Sequence, residues 1–311
     1  MQGSAIPPII VITGPTAAGK SAAALELAAG FGGEIISADS RQVYRHLDIG
    51  TAKPTAHEQA LVPHRLIDLV EPDEPYSVVH YRADADRVLA EVAARGKVAF
   101  LVGGSPHYLQ AVIDRLEVPP VPPQEQFRRE MEEWARREGH QPLHDRLREV
   151  DPEGAEQIAA TNVRRVIRAL EVHHVTGVPF SVLGRRRGTP LPSLKLALTI
   201  ERSALHKSID DRVEQQVADG LIEEARGVVH MGYDPGLPPL AGLVYREAIS
   251  AAFGRISLED AVRRMKETTH AFARRQYTWL RREPELHWIE VGADHLDLMN
   301  RMIGEYLAGP R

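Results

Sequence analysis

Gly14-Pro15-Thr16-Ala17-Ala18-Gly19-Lys20-Ser21 sets two glycines, a lysine and a hydroxyl at the spacing G-x-x-x-x-G-K-[ST]. That spacing is suited to phosphate chemistry. Successive backbone N–H groups turn inward and lead into a helix N-terminus carrying partial positive charge, so a phosphate or diphosphate is held there. Lys20 adds a mobile cation, and the Ser21 hydroxyl is the expected ligand for Mg²⁺. An ordinary glycine turn is the plain alternative, and the flanks argue against it. Ile9 to Thr13 is a continuous apolar run that reads as a buried parallel strand, and Ser21 to Ala29 reads as a helix closed by Gly30. The loop specifies a polyphosphate and leaves the reaction open.

A P-loop enzyme that hydrolyses a nucleotide usually carries a second acid at the end of an apolar strand. Here the strand ending at Val102 runs into Gly103-Gly104 instead. The best-placed carboxylate is Asp39, which ends the run Ile35-Ile36-Ser37-Ala38. It is suited to act as general base on an incoming nucleophile, to bind Mg²⁺ indirectly, or to cap a turn. Lys53 and Arg212 carry little meaning alone. None of the 14 histidines shows a metal-binding spacing, and the adjacent His173 and His174 point to different helix faces. No Ser-His-Asp or G-x-S-x-G pattern is present. With no cysteine, a disulfide framework, a zinc finger and a thiol nucleophile are excluded. Two reaction classes stay open: a small-molecule kinase, or a transferase in which the polyphosphate leaves.

The elements that must position these residues alternate strand and helix. Glu34 to Asp39, Arg65 to Val70 and Lys97 to Val102 read as strands, and Val78 to Arg95 as a helix ended by Gly96. This predicts an α/β fold: a P-loop core with a central parallel sheet and helices on both faces. Sites in such sheets lie at the C-terminal strand ends, where the P-loop, Asp39-Ser40 and Gly103-Gly104-Ser105 all fall. The prolines of 118–123 break the pattern as a stiff connector. Gln124 to about Thr176 is helical throughout, and Leu194 to Ile200 returns to strand character. The predicted organisation is a core of residues 1–120 and 191–311 with an all-helical insert at 121–190. From Ser203 onward the chain reads as mostly helical.

With 311 residues, 43% hydrophobic and 26% charged, the composition is that of a globular protein with a sizeable core. No apolar run reaches a membrane span, and Met1-Gln2-Gly3-Ser4 does not read as a signal peptide, so the expected location is cytoplasmic. The net charge of -5 rules out a uniformly basic nucleic-acid binder. Two segments nevertheless concentrate positive charge. Residues 163–187 hold six arginines against one acid, and 261–282 hold seven arginines and lysines against one acid. These are either solvated helix faces or a confined footprint for a polyanion.

Asp39-Ser40-Arg41-Gln42-Val43-Tyr44-Arg45-His46-Leu47-Asp48-Ile49-Gly50-Thr51-Ala52-Lys53-Pro54 closely resembles the signature of the tRNA dimethylallyltransferases, also called tRNA isopentenyl transferases. Further blocks match in order: Gly14-Pro15-Thr16, His64 to Asp68, Tyr76-Ser77-Val78, Asn162 to Glu171 with Thr176-Gly177, and Ala273 to Trp279. The resemblance spans nearly the whole chain and is of the bacterial type, without the eukaryotic zinc finger. Two stretches depart from it. Ser105-Pro106-His107 stands where the family has Thr-Gly-Leu, and Leu243-Val244-Tyr245 where it has Ile-Gly-Tyr.

The resemblance implies transfer of a dimethylallyl group from dimethylallyl diphosphate to N6 of the adenine 3′ of the anticodon in tRNA, with diphosphate leaving. It implies Mg²⁺ and no phosphoryl transfer, although the P-loop pattern alone suggests nucleotide or ATP binding. Asp39 would take the N6 proton. Thr16, Lys20, Ser105 and Arg212 would stabilise the leaving diphosphate, cradled by Gly14, Pro15, Ala17, Ala18, Gly19 and Ser21, the last as metal ligand. The expected tRNA contacts are Asp39, Ser40, Arg41, Gln42, Arg164, Arg165, Arg168, Arg246, Arg274, Arg275 and Gln276. Arg164 and Arg168 are spaced to share one helix face. The expected partners are the tRNA anticodon stem-loop and the donor, with no membrane and a monomeric state.

Overall fold

Apolar runs with no polar alternation belong to strands buried on both faces, and the strands gather in one six-stranded parallel sheet as such runs predict. In a computed structural model, residues 6–116, 119, 121–183, 189–283 and 285–309 are described. Arg185, Arg186 and Arg187 of the first basic segment, and Val118 and Pro120 of the connector, lie outside them. The chain runs β1 (Ile9–Thr13), α1 (Lys20–Gly30), β2 (Glu34–Ser37), α2 (Ala56–Leu61), β3 (His64–Arg65), α3 (Val78–Ala94), β4 (Ala99–Val102) and α4 (Pro106–Ile113). Then come α5 (Glu125–Glu138), α6 (His140–Val150), α7 (Pro152–Gln157), α8 (Val163–Thr176) and α9 (Phe180–Leu183). The last part holds β5 (Ser193–Thr199), α10 (Arg202–Ala218), α11 (Leu221–His230), α12 (Leu243–Ala252), α13 (Leu258–Leu280), β6 (His287–Glu290) and α14 (His295–Ala308). Among the described residues no helix is long and apolar enough to cross a membrane.

The sheet order is β3-β2-β4-β1-β5-β6, and every neighbouring pair is parallel. Residues of β1, β2 and β4 are buried throughout, with α1 and α14 packed on a core that includes Ile10, Ile12, Phe100, Leu196 and Leu198. Two expectations need correction. The strand expected over Arg65 to Val70 is only His64–Arg65, because Leu66 (φ 62°) and Asp68 (φ 53°) take left-handed conformations that end extension. Val70 rejoins only as an isolated parallel bridge to Tyr44. The sixth strand, β6, was absent from the sequence reading. It is an edge strand whose residues alternate too little to show, since only Ile289 is buried.

The chain divides into two compact units, Met1–Val112 with Leu191–Arg311, and Ile113–Pro190. The boundary expected at 121 falls inside the second unit. That unit is a helical cluster around Leu143, Leu147, Ile158, Val166, Ile167 and Leu170. One of its buried acids is Glu171, whose side chain is 0% exposed and meets Arg128 Nε at 2.7 Å and Arg168 Nη1 at 2.6 Å. Buried Asp151 caps α7 through the Gly154 N–H (2.8 Å) and also accepts from the Ser181 N–H (2.8 Å).

Candidate active site

The site lies in the first unit, at the C-terminal ends of β1, β2 and β4. Gly14 leaves β1 at φ 141°, and a Cβ there would stand 2.6 Å from the Leu198 carbonyl oxygen, so the loop passes β5 only as glycine. Gly19 (φ 83°) precedes α1, which begins at Lys20. Gln276 of α13 braces the loop from above. Its Oε1 accepts from the Thr16 N–H at 2.8 Å, and its Nε2 donates to the Gly104 carbonyl at 2.9 Å. The Ser208 hydroxyl of α10 donates to the Ala17 carbonyl at 2.8 Å.

The ends of β2 and β4 are stitched together. A Cβ on Gly103 would fall 2.1 Å from the Ala38 carbonyl oxygen, so the backbones touch there. The Ser105 N–H donates to that same carbonyl (3.2 Å), and the Ser105 hydroxyl accepts from the Ser40 N–H (3.0 Å). Pro106 opens α4, where a missing N–H costs nothing, so this departure from the family pattern fits its backbone. Asp39 does two jobs. Its Oδ1 accepts from the Arg41 N–H at 2.8 Å, as a turn cap does, while the residue lines two cavities.

The smaller cavity, about 110 Å³, is lined by Lys20, Ser21, Lys53 and His64 among others. The larger, about 410 Å³, is lined by Ser40, Arg41, Val213 and Val244 among others. Thr16, Asp39, Thr51, Gly104, Arg212 and Phe272 line both. The Lys20 ammonium donates to the Pro15 carbonyl at 2.6 Å. Burial and the Arg212 guanidinium push its pKa down to about 7, with Asp39 opposing them. Burial also lowers the Arg212 pKa, again opposed by Asp39. Two desolvated cations beside one carboxylate make a strongly anion-seeking centre.

Oxygen donors suited to Mg²⁺ are present: the Ser21 hydroxyl and the Asp39 carboxylate line the smaller cavity. Among the described residues no group of three or more His, Asp or Glu could hold a metal. That sparse set fits an ion that keeps waters and takes its other ligands from a diphosphate.

Several predicted contacts turn out to be braces. Gln276 is 5% exposed and spent on the P-loop. Gln42 accepts from the Ser37 hydroxyl (2.8 Å) and donates to the Thr51 and Ala52 carbonyls (3.3 and 3.1 Å). Arg168 does not share an open face with Arg164. It is tied to Glu171 and to the Val121 and Pro119 carbonyls (3.0 and 3.3 Å). Arg246 is not such a brace: it pairs with Glu247 at 2.8 Å but its side chain stays 60% exposed. Arg164 and Arg165 of α8, and Arg274 and Arg275 of α13, are exposed. Ser40 and Arg41 line the larger cavity, and Arg41 Nη1 also donates to the Pro239 carbonyl at 2.6 Å. The sequence reading missed Phe272, Gln216 and Glu224. Glu224 accepts from the N–H groups of Asp48, Ile49 and Gly50 at 3.0, 2.8 and 3.2 Å, and so shapes the 48–51 loop.

The description "IPP transferase" matches residues 42–283, and "Isopentenyl transferase" matches residues 7–70. The chain is 48% identical to a tRNA dimethylallyltransferase of Roseiflexus castenholzii, over 94% of this chain and 95% of the relative. It is 45% identical to one of Thermomicrobium roseum, over 91% and 86% respectively. The chain belongs to the IPP transferase family. It is a prenyl-transferring enzyme, which decides between the two reaction classes left open by the P-loop. The crystal structure of a tRNA isopentenylpyrophosphate transferase of Bacillus halodurans superposes with a TM-score of 0.70 at 36% identity, covering 96% of this chain and 95% of that one. The family fold, a parallel sheet surrounded by helices with the P-loop after its first strand, is the fold described above.

Proposed function

We propose that this enzyme moves the dimethylallyl group of dimethylallyl diphosphate to N6 of the adenine 3′ of the anticodon in tRNA. The observation that supports it most is the pair of cavities meeting at Thr16, Asp39 and Arg212. The diphosphate takes the P-loop side, against Lys20, Ser21 and the loop amides. The adenine, unstacked from the anticodon loop, takes the larger cavity. The bond between the allyl C1 and its diphosphate oxygen breaks, and the bond between C1 and N6 forms. Asp39 accepts the N6 proton. Lys20, Arg212 and the loop N–H groups receive the negative charge that builds on the leaving oxygen. Mg²⁺, when bound with the donor at Ser21, adds charge stabilisation to the diphosphate. No water-positioning acid is needed, which accounts for Gly103-Gly104 at the end of β4.

Arg164 and Arg165 in the helical unit, and Arg274 and Arg275 on α13, are the proposed phosphate contacts to the tRNA stem. The deciding experiment incubates the protein with unmodified tRNA, dimethylallyl diphosphate and Mg²⁺, without ATP, and reads the tRNA nucleosides by mass spectrometry. A prenylated adenosine is expected. No product, with tRNA still bound, would overturn the donor or acceptor assignment.

A further inference from the structure

The larger cavity has an apolar wall that the proton and charge transfers do not use, formed by Val213 of α10, Val244 of α12 and Phe272 of α13. Val244 is 4% exposed and sits in the first turn of its helix. A β-branched side chain there is held to essentially one rotamer. The backbone behind it is also pinned. Tyr245 is fully buried, its hydroxyl donates to Glu224 at 2.6 Å, and its ring leaves no room for a Cβ on Gly50, which would lie 2.5 Å from Cζ. The same Glu224 holds the N–H groups of Asp48, Ile49 and Gly50. Before the helix, a Cβ on Gly242 would fall 2.8 Å from Arg41 Nη2, and that guanidinium is fastened to the Pro239 carbonyl. A stiff side chain on a pinned backbone does not make way for a larger ligand.

We infer that Val244 sets the chain length of the allylic donor, closing the cavity behind a five-carbon group and excluding a ten-carbon one. The inference rests on the prenyl-transfer reading above. With the diphosphate at Lys20 and Ser21, the alkyl tail extends past the shared residues Thr16, Asp39 and Arg212 into the larger cavity. The apolar wall is there to receive it, whereas Ser40 and Arg41 offer polar groups to a base edge.

The test measures kcat/KM for dimethylallyl and geranyl diphosphate with one unmodified tRNA, in the wild type, Val244→Ala and Val244→Gly. The ratio between donors is unaffected by the fraction of protein folded, because both donors meet the same active population. One methylene against a pocket wall changes discrimination about 10- to 200-fold, so the five- to ten-carbon ratio is expected to fall at least about tenfold in Val244→Gly and less in Val244→Ala. Dissociation constants of unreactive thio-diphosphate analogues of both lengths, read without tRNA, are expected to move in the same direction. This second readout holds even if a variant turns over slowly. A ratio within about twofold of wild type in both readouts overturns the inference. A change confined to KM for tRNA assigns the wall to the adenine and overturns it as well. If the wild type prenylates nothing from either donor, the function reading fails first and takes this inference with it.

Discussion

Asp39 and Lys20 carry the sharpest expectations at the scale of single residues. Asp39→Asn keeps a side-chain oxygen to accept from the Arg41 N–H but cannot take a proton at neutral pH. A general base contributes about 10²- to 10⁴-fold, so kcat is expected to fall by that order while donor affinity, read by calorimetry, stays nearly unchanged. Equal loss of both would make Asp39 a structural residue. Lys20 makes a pH prediction. Its pKa of about 7 in the free site lies below the ordinary lysine value of 10.5. A bound diphosphate favours the charged form and raises that pKa again. Below pH 7 the ammonium is already present and binding takes up no proton at Lys20. Above it, binding must draw one from solvent, so donor affinity is expected to weaken as pH rises from about 7 to 9. Calorimetry in buffers of different ionisation enthalpy is expected to show the uptake, and Lys20→Met to abolish it.

At the scale of elements, the P-loop is held by α13 as much as by its own glycines. Gln276→Ala leaves the partly buried Thr16 N–H and Gly104 carbonyl without their partner, a loss of about 1–2 kcal/mol. Donor affinity is expected to fall about tenfold or more, with the tRNA salt dependence unchanged. That second result separates a brace from an RNA contact. In the helical unit, Glu171→Ala removes the buried acceptor shared by the partly exposed Arg128 and Arg168 and is expected to cost about 1–3 kcal/mol, seen as a lowered midpoint in denaturant. Burial opposes ionisation of Glu171, but Arg128, the Gln124 N–H and Arg168 outweigh it and hold its pKa below 4.5. Its contribution is therefore complete above the unfolded carboxylate range and lost as pH falls through the lowered folded value. Periodicity placed α8 and its arginines correctly. It could not distinguish Arg164, which points to solvent, from Arg168, which meets a buried acid three residues on, because both differ from the core only in polarity.

At the scale of the whole molecule, a net charge of -5 coexists with a proposed polyanion substrate, so binding must come from confined patches. Replacing exposed Arg164, Arg274 or Arg275 by alanine is expected to weaken tRNA binding and to reduce the slope of log K against log salt by about 1 each. Arg168→Ala is expected to lower stability and leave that slope alone. Filter binding across a salt series checks both.

What the sequence determined by itself is local chemistry on a predictable scaffold. The P-loop, Asp39 at a strand end and the parallel β-α order are short-range patterns: a glycine spacing, an apolar run, a helix period. One short strand was drawn too long and another was missed: β3 is cut off by left-handed Leu66 and Asp68, and β6 shows only one buried residue. The tertiary structure alone decided which polar groups face the cavities and which are spent inside the protein. Gln276 reaches across 260 residues to the Thr16 N–H, and Glu224 across more than 170 to the loop at Asp48 to Gly50. Such partners leave no periodic trace, because a hydrogen bond depends on where two side chains arrive after folding and not on their spacing along the chain.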